Sequence, residues 1–188
     1  MKTGVLVIFA MVCSFASSAY AATYNISEER FKGDWFSAKL SLGNEVYYRA
    51  GNVETAGVSL FLDYYPGNCG NPYLQIMSSG IEPVPNDIDM YLDSFVRVDH
   101  EDVIKTSSHV TASRGDTHVF TSIASDKPQK ILEALKDGNN VRFKVATDEP
   151  IFFTFALNGS AASMTLASSR CKRQSDDPES YFPDTSTD

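Results

Sequence analysis

The side chains with chemistry to offer are three histidines, three cysteines and a few clustered carboxylates. His100, His109 and His118 form no HExxH pair, and no two cysteines have CxxC spacing, so the zinc and redox motifs are missing. His100 sits in Asp99-His100-Glu101-Asp102, a donor set that could take a metal. Charged side chains favour surfaces, and a solvated turn is the simpler reading. Asp87, Asp89 and Asp93 have part of a calcium loop but lack its glycine and closing glutamate. No GxSxG elbow is present. A Ser-His-Asp triad needs no proximity in sequence, so a hydrolase with a concealed site stays open as a third choice. No catalytic residue, metal or cofactor is expected. Arg114-Gly115-Asp116 spells the integrin-binding tripeptide and, with His118, is a candidate binding loop. Its plain reading is a tight turn after Ser113. Asn25-Ile26-Ser27 and Asn158-Gly159-Ser160 match the glycosylation sequon. Asn25 would be the better acceptor, because Asn158 borders a helix.

The cysteines take their meaning from the N-terminus. A basic start at Lys2, an apolar run from Val5 to Phe15, and the small-x-small step Ala19-Tyr20-Ala21 read as a signal peptide over residues 1–22. Cys13 lies inside that run and would leave with it. No other apolar run approaches the roughly 20 residues needed to span a bilayer. The expectation is a periplasmic or secreted protein. Cys69 and Cys171 remain as an even pair in an oxidising compartment, which predicts a disulfide. Closing a loop of about 100 residues would stabilise the fold by roughly 4–5 kcal/mol.

A mature chain of about 166 residues suffices for one domain, placed at 23–174. The formal net charge is −8. Such a surface argues against nucleic acid and anionic membranes, and allows a basic protein partner. Residues 175–188 hold five acids, two prolines and no base, which predicts a disordered tail. Its Tyr181-Phe182 pair could dock elsewhere.

The elements follow from periodicity. Trp35, Phe36 and Leu40 open the ordered part after a polar lead. Strands are expected at Glu45–Arg49, Val58–Tyr65, Tyr73–Met77, Met90–Val98 and Val119–Ile123. Pro66-Gly67-Asn68 presents Cys69 at a turn. Pro66–Pro72, Ile81–Asp89 and Asp99–His118 read as loops, and any binding surface should lie on them. A helix over Lys127–Asp137 has Ser125 or Asp126 as cap, Pro128 in its first turn and Gly138 as terminator. Strands around Val141–Val145 and Ile151–Leu157 follow. A last helix, capped by Asn158 or Ser160, carries Met164, Leu166 and Cys171. Strands this apolar on one face need a covering layer, which predicts a mostly β fold: an antiparallel β-sandwich with two short C-terminal helices.

The last third resembles two families of exported bacterial proteins, the invasion-associated locus B type and the type VI secretion-associated VasI type. The matching residues are Leu132, Ala134, Leu135, Lys136, Gly138, Val141, Phe143, Phe155, Leu157, Gly159, Ala161, Ala162 and Cys171, with the Val98-Asp99 step upstream. The invasion-associated family usually has an extra cysteine pair before the helix, where this chain has Gly115-Asp116-Thr117-His118. The resemblance implies a β-sandwich at the periplasm or cell surface of a Gram-negative bacterium, with no catalytic residue to carry over. These are also fold residues, so architecture is better specified than function. The leading expectation is a non-enzymatic protein-binding module, such as an inhibitor, an immunity protein or a secretion accessory. The second is a host-interaction factor tied to virulence.

Overall fold

The structure is a computed structural model that describes residues 24–52 and 56–176. The expected signal segment, and the acidic tail beyond Asp176 with Tyr181-Phe182, lie outside the described residues. Ten strands and two helices follow in order: β1 (Asn25–Lys32), β2 (Trp35–Leu42), β3 (Glu45–Asn52), β4 (Val58–Tyr64), β5 (Tyr73–Ser79), β6 (Ile88–Val98), β7 (Ile104–Ala112), β8 (His118–Ala124), α1 (Pro128–Asp137), β9 (Asn140–Val145), β10 (Ile151–Ala156) and α2 (Ser160–Ser175).

The mostly β, antiparallel class with two C-terminal helices is as expected. All ten strands belong to one sheet, in the order β1-β2-β3-β4-β5-β8-β7-β6-β9-β10. Twist accumulates across so many strands and curls the sheet. Its two ends come together. The Trp35 indole Nε1 donates to Ala156 O at 2.8 Å, and the Asp34 amide donates to Asn158 O at 2.9 Å. Trp35 is completely buried at this seam. Among the described residues the larger of two buried apolar clusters joins the sheet to both helices: Leu60 and Leu62 of β4, Ile76 of β5, Phe143 of β9, Leu135 of α1 and Met164 of α2 belong to it.

Two strands are corrections. β1 was expected as a polar lead. It is an edge strand exposed throughout, with an irregular register between Ser27 and Arg30 and Glu28 at φ 53°. Its polar sequence lacks alternation because neither face is buried. β7 runs through the expected loop Asp99–His118. Its core side carries Thr106 and Ser108 instead of aliphatics, and Thr106 Oγ1 lies 2.7 Å from Ser94 Oγ on β6. The Thr106–Ser94 pair is satisfied across strands, whereas Ser108 Oγ is buried without a hydrogen-bond partner among the described residues, and neither residue leaves an apolar period to read. β6 likewise begins at Ile88, inside the expected loop Ile81–Asp89.

Helix α1 buries Ile131, Leu132 and Leu135 and has Pro128 in its first turn, as expected. Its caps differ. Lys127 is the N-cap and no side chain caps the helix; Ser125 Oγ accepts from the Lys127 amide at 3.0 Å instead. Gly138 is extended, with φ −84°, so it is no left-handed terminator. Glycine is needed there because a Cβ would collide with Val98 Cγ1. Helix α2 starts at a left-handed Gly159, whose absent Cβ would strike the carbonyl of Lys32. Neither Asn158 nor Ser160 caps it. Ser160 Oγ donates to Leu135 O at 2.6 Å, joining the two helices. Helix α2 also continues past Cys171 to Ser175, so the first residue of the expected tail is helical.

Cys69 and Cys171 form the expected disulfide, with a Cα–Cα distance of 5.7 Å. It fastens the β4–β5 loop to α2. Ser168 Oγ adds a bond to Cys69 O at 3.1 Å, and Ser175 Oγ accepts from the Gly67 amide at 2.9 Å. Among the described residues no helix is long and apolar enough to cross a membrane.

Candidate functional site

The predicted binding loop is the β7–β8 turn. Arg114, Gly115, Asp116 and His118 are all exposed. The turn is a tight one: Asp116 N donates to Ser113 O at 3.0 Å, and Gly115 takes φ 93° with open space around it. It is pinned to the loop before β6, where Asp87 Oδ1 accepts from the Arg114 amide at 2.7 Å and Val84 O from the Gly115 amide at 2.9 Å.

The three histidines stay apart. His118 stacks loosely on Phe120. His109 stacks on Tyr91, with ring centroids 4.2 Å apart and planes 2° from parallel, and its Nε2 lies 2.7 Å from Asp89 Oδ1. His100 stands on the β6–β7 turn, where its carbonyl and that of Glu101 accept from Arg97. Asp99, at φ 45°, uses its carboxylate on backbone. Oδ2 accepts from the Asn139 amide at 2.9 Å, and Oδ1 from the Asn140 amide at 2.9 Å. These two backbone bonds hold its carboxyl below the usual range. The Asp87, Asp89 and Asp93 carboxylates also point to separate partners, Arg114 N, His109 and Lys105. Among the described residues no three His, Cys, Asp or Glu side chains gather as a metal site.

Helix α1 lies between two grooves. The first, about 290 Å³, has Val96, Val98, Ile104, Ile131 and Ala134 as its floor. Five carboxylates line it, Asp99, Glu101, Asp102, Glu133 and Asp137, against a single base, Lys130. The β6–β7 turn supplies three of these acids and α1 the other two. The second groove, about 520 Å³, runs from the start of α1 over the sheet's outer face. Tyr65, Tyr73, Tyr91 and His109 line it, with Ser107 and Ser122 on the strands and Asn68 and Asn71 on the disulfide-tied loop. Register explains the gathering: Gln75, Ser122, His109 and Tyr91 are successive partners across β5-β8-β7-β6. The Tyr73 hydroxyl bonds Ser122 Oγ. Burial, with Asp63 and Glu45 nearby, pushes the Tyr65 hydroxyl up to about 12, so it stays a neutral donor.

Beside this groove, the outer face of β3 and β4 carries a buried ion pair. Arg49 Nε and Nη2 donate to Asp63 Oδ1 and Oδ2 at 2.7 and 2.8 Å, and the guanidinium lies 4.0 Å over Phe61. Sequence reasoning passed over Tyr65, Tyr73 and Tyr91 as ordinary strand aromatics. Their signal was position: Tyr91 falls opposite Met90 and Leu92 on a strand that alternates, so it faces outward.

No family model, curated protein or solved structure matches the chain.

Proposed function

We propose that this chain is an exported, non-enzymatic module that binds another protein, in the manner of an inhibitor, an immunity protein or a secretion accessory. The acid-rimmed groove beside α1 carries the reading. An apolar floor with five surrounding carboxylates suits a partner segment that presents aliphatic stems and lysine or arginine heads. The leader-like N-terminus, the net charge of −8 and the disulfide support it. So does the resemblance of the C-terminal third to exported bacterial modules. Affinity capture from a periplasmic extract tests it, at low salt and then at high salt. One stoichiometric basic protein is expected, released as salt rises. Glu101→Lys with Glu133→Lys should abolish capture without changing the melting temperature, because both side chains are exposed. Equal capture by wild type and variant would defeat the reading.

A second reading, attachment to host cells, has the exposure of the Arg114-Gly115-Asp116 turn behind it. Unchanged attachment by Asp116→Glu would remove it.

A further inference from the structure

We infer that the free edge of β10 receives an extended segment of a partner protein, one in which apolar residues alternate with acidic ones. This site is separate from the acid-rimmed groove and does not depend on it.

The two edges of the sheet are built differently. Edge strand β1 is blunted. It carries Glu28, Glu29, Arg30 and Lys32, its register breaks between Ser27 and Arg30, and Glu28 O accepts from Arg170 Nη1 at 2.8 Å. Charges and irregularity of this kind keep an edge from pairing. The other edge, β10, has neither. Ile151–Ala156 reads IFFTFA, without a charge or a proline, and pairs with β9 in unbroken register. Phe152 is 65% exposed.

The backbone on that edge is open. Ala156 O accepts from Trp35 across the seam, so residue 156 points its N–H and C=O away from β9. In an antiparallel ladder this direction alternates, and Phe152 and Thr154 point the same way. Among the described residues no hydrogen bond reaches their backbone groups on that side. Beyond the Trp35 contact a groove of about 630 Å³ follows β10, with Asp34, Asn52 and Val58 on the opposite wall. Phe155 belongs to the core and Phe153 packs against it. An added strand gains main-chain bonds to Phe152 and Thr154, and its inward side chains meet Phe153, Phe155 and Val58. Those inward positions favour apolar residues.

The outward positions supply the other half of the pattern. Arg142 on β9 stands directly between Thr154 of β10 and Arg97 of β6. Two arginines opposed across a ladder repel each other. Arg97 is held by the carbonyls of His100 and Glu101. Arg142 is exposed, and among the described residues neither it nor Lys144 has a carboxylate partner. In a chain of net charge −8, this face is positive. Thr154 is short, so a Glu or Asp on an added strand can reach over it to Arg142, two strand spacings or roughly 10 Å away. A second copy of β10 would bring its own Arg142 and Lys144 to the same face, which argues against self-pairing.

The test is titration of the intact, oxidised protein with an alternating valine–glutamate heptapeptide and its valine–lysine counterpart, followed by calorimetry and amide hydrogen exchange. The glutamate peptide is expected to bind about tenfold more tightly than the lysine peptide and to slow exchange at Phe152 and Thr154. Arg142→Glu should weaken it about tenfold and reverse the preference. The melting temperature of this variant should hold, because Arg142 is exposed. Thr154→Pro removes an edge N–H that β9 does not use and should abolish binding. Arg142→Glu keeps the test decisive if the proline variant fails to fold. Glu101→Lys with Glu133→Lys should leave peptide binding untouched, which separates failure here from failure of the protein-binding reading. The proposal is overturned if neither peptide binds, if the two bind equally, or if the protein is a dimer that Thr154→Pro dissociates.

Discussion

The two grooves beside α1 share a wall and little else. Ile131 lines both. On one side the β6–β7 turn and the outward face of α1 supply carboxylates around an aliphatic floor. On the other, the β4–β5 loop and the strands β5, β8, β7 and β6 supply rings, hydroxyls and amides. A single ten-residue helix thus separates a charged surface from an uncharged one. The lesson is that net charge describes a chain poorly. Five carboxylates gather where one helix meets one turn, and the neighbouring aromatic groove is lined by none.

The comparison can be broken from either side. The largest effect is expected from reducing the Cys69–Cys171 bond. Stability should fall by about 4–5 kcal/mol in the chain-entropy model. The β4–β5 loop, with Asn68 and Asn71, should loosen from α2. Chemical denaturation with and without reductant measures the first, and hydrogen exchange at residues 66–72 the second. An unchanged midpoint under reductant would refute the stabilising role. The acid groove should keep its exchange protection until the fold itself melts.

A smaller loss is expected from Gly138→Ala, on the other side of α1. The new methyl would press on Val98, a branched side chain with little room to turn. A cost of about 2 kcal/mol is expected, from overpacking. Capture of the basic partner should weaken while the aromatic groove is unaffected. Wild-type stability in this variant would mean that α1 can move away from β6 freely.

The smallest effect concerns Asp99 and pH. Its carboxyl titrates below the usual value in the folded state because Asn139 and Asn140 donate backbone bonds to it. A depressed carboxylate stabilises the fold above its unfolded pKa, and the benefit is lost as pH falls through the folded pKa. Asp99→Asn keeps a residue type that tolerates the left-handed backbone but accepts fewer bonds. Its melting temperature should depend less on pH than wild type below about pH 4. Parallel curves for the two proteins would show that Asp99 does not drive the acid sensitivity.

Much of this could be read from sequence, and the exceptions have physical causes. Helix α1 was legible because Pro128, the Ile131-Leu132-Leu135 stripe and Gly138 agree with one another. The reason for Gly138 was not, since its partner Val98 is remote in the chain and only packing shows the close approach. The disulfide was legible from the even pair left by the expected loss of Cys13 and from the oxidising compartment expected with it. Strand β1 was hidden because an edge strand with both faces in water carries no period. Strand β7 was hidden because Thr106 and Ser108 take the place of aliphatics. The aromatic groove was out of reach for a topological reason. β5 lies beside β8, so β8, β7 and β6 are laid down in reverse order. Tyr73 and Tyr91 are therefore separated by two strands that come later in the chain, and Ser122 and His109 stand between them. The Arg114-Gly115-Asp116 turn was placed correctly as a turn, although the polar loop around it proved to be mostly strand.

The bond from Trp35 to Ala156 has a consequence for the order of folding. It joins residues 121 apart, and the disulfide joins residues 102 apart. Contacts of such separation are made late, after the intervening chain has lost its freedom. A chain delivered N-terminus first can build the β1 to β5 meander early, but it has nothing to close against. Trp35 stays exposed until β10 arrives. The first hairpin is therefore the last part to be sealed, and any factor that holds the unclosed chain would find that indole waiting.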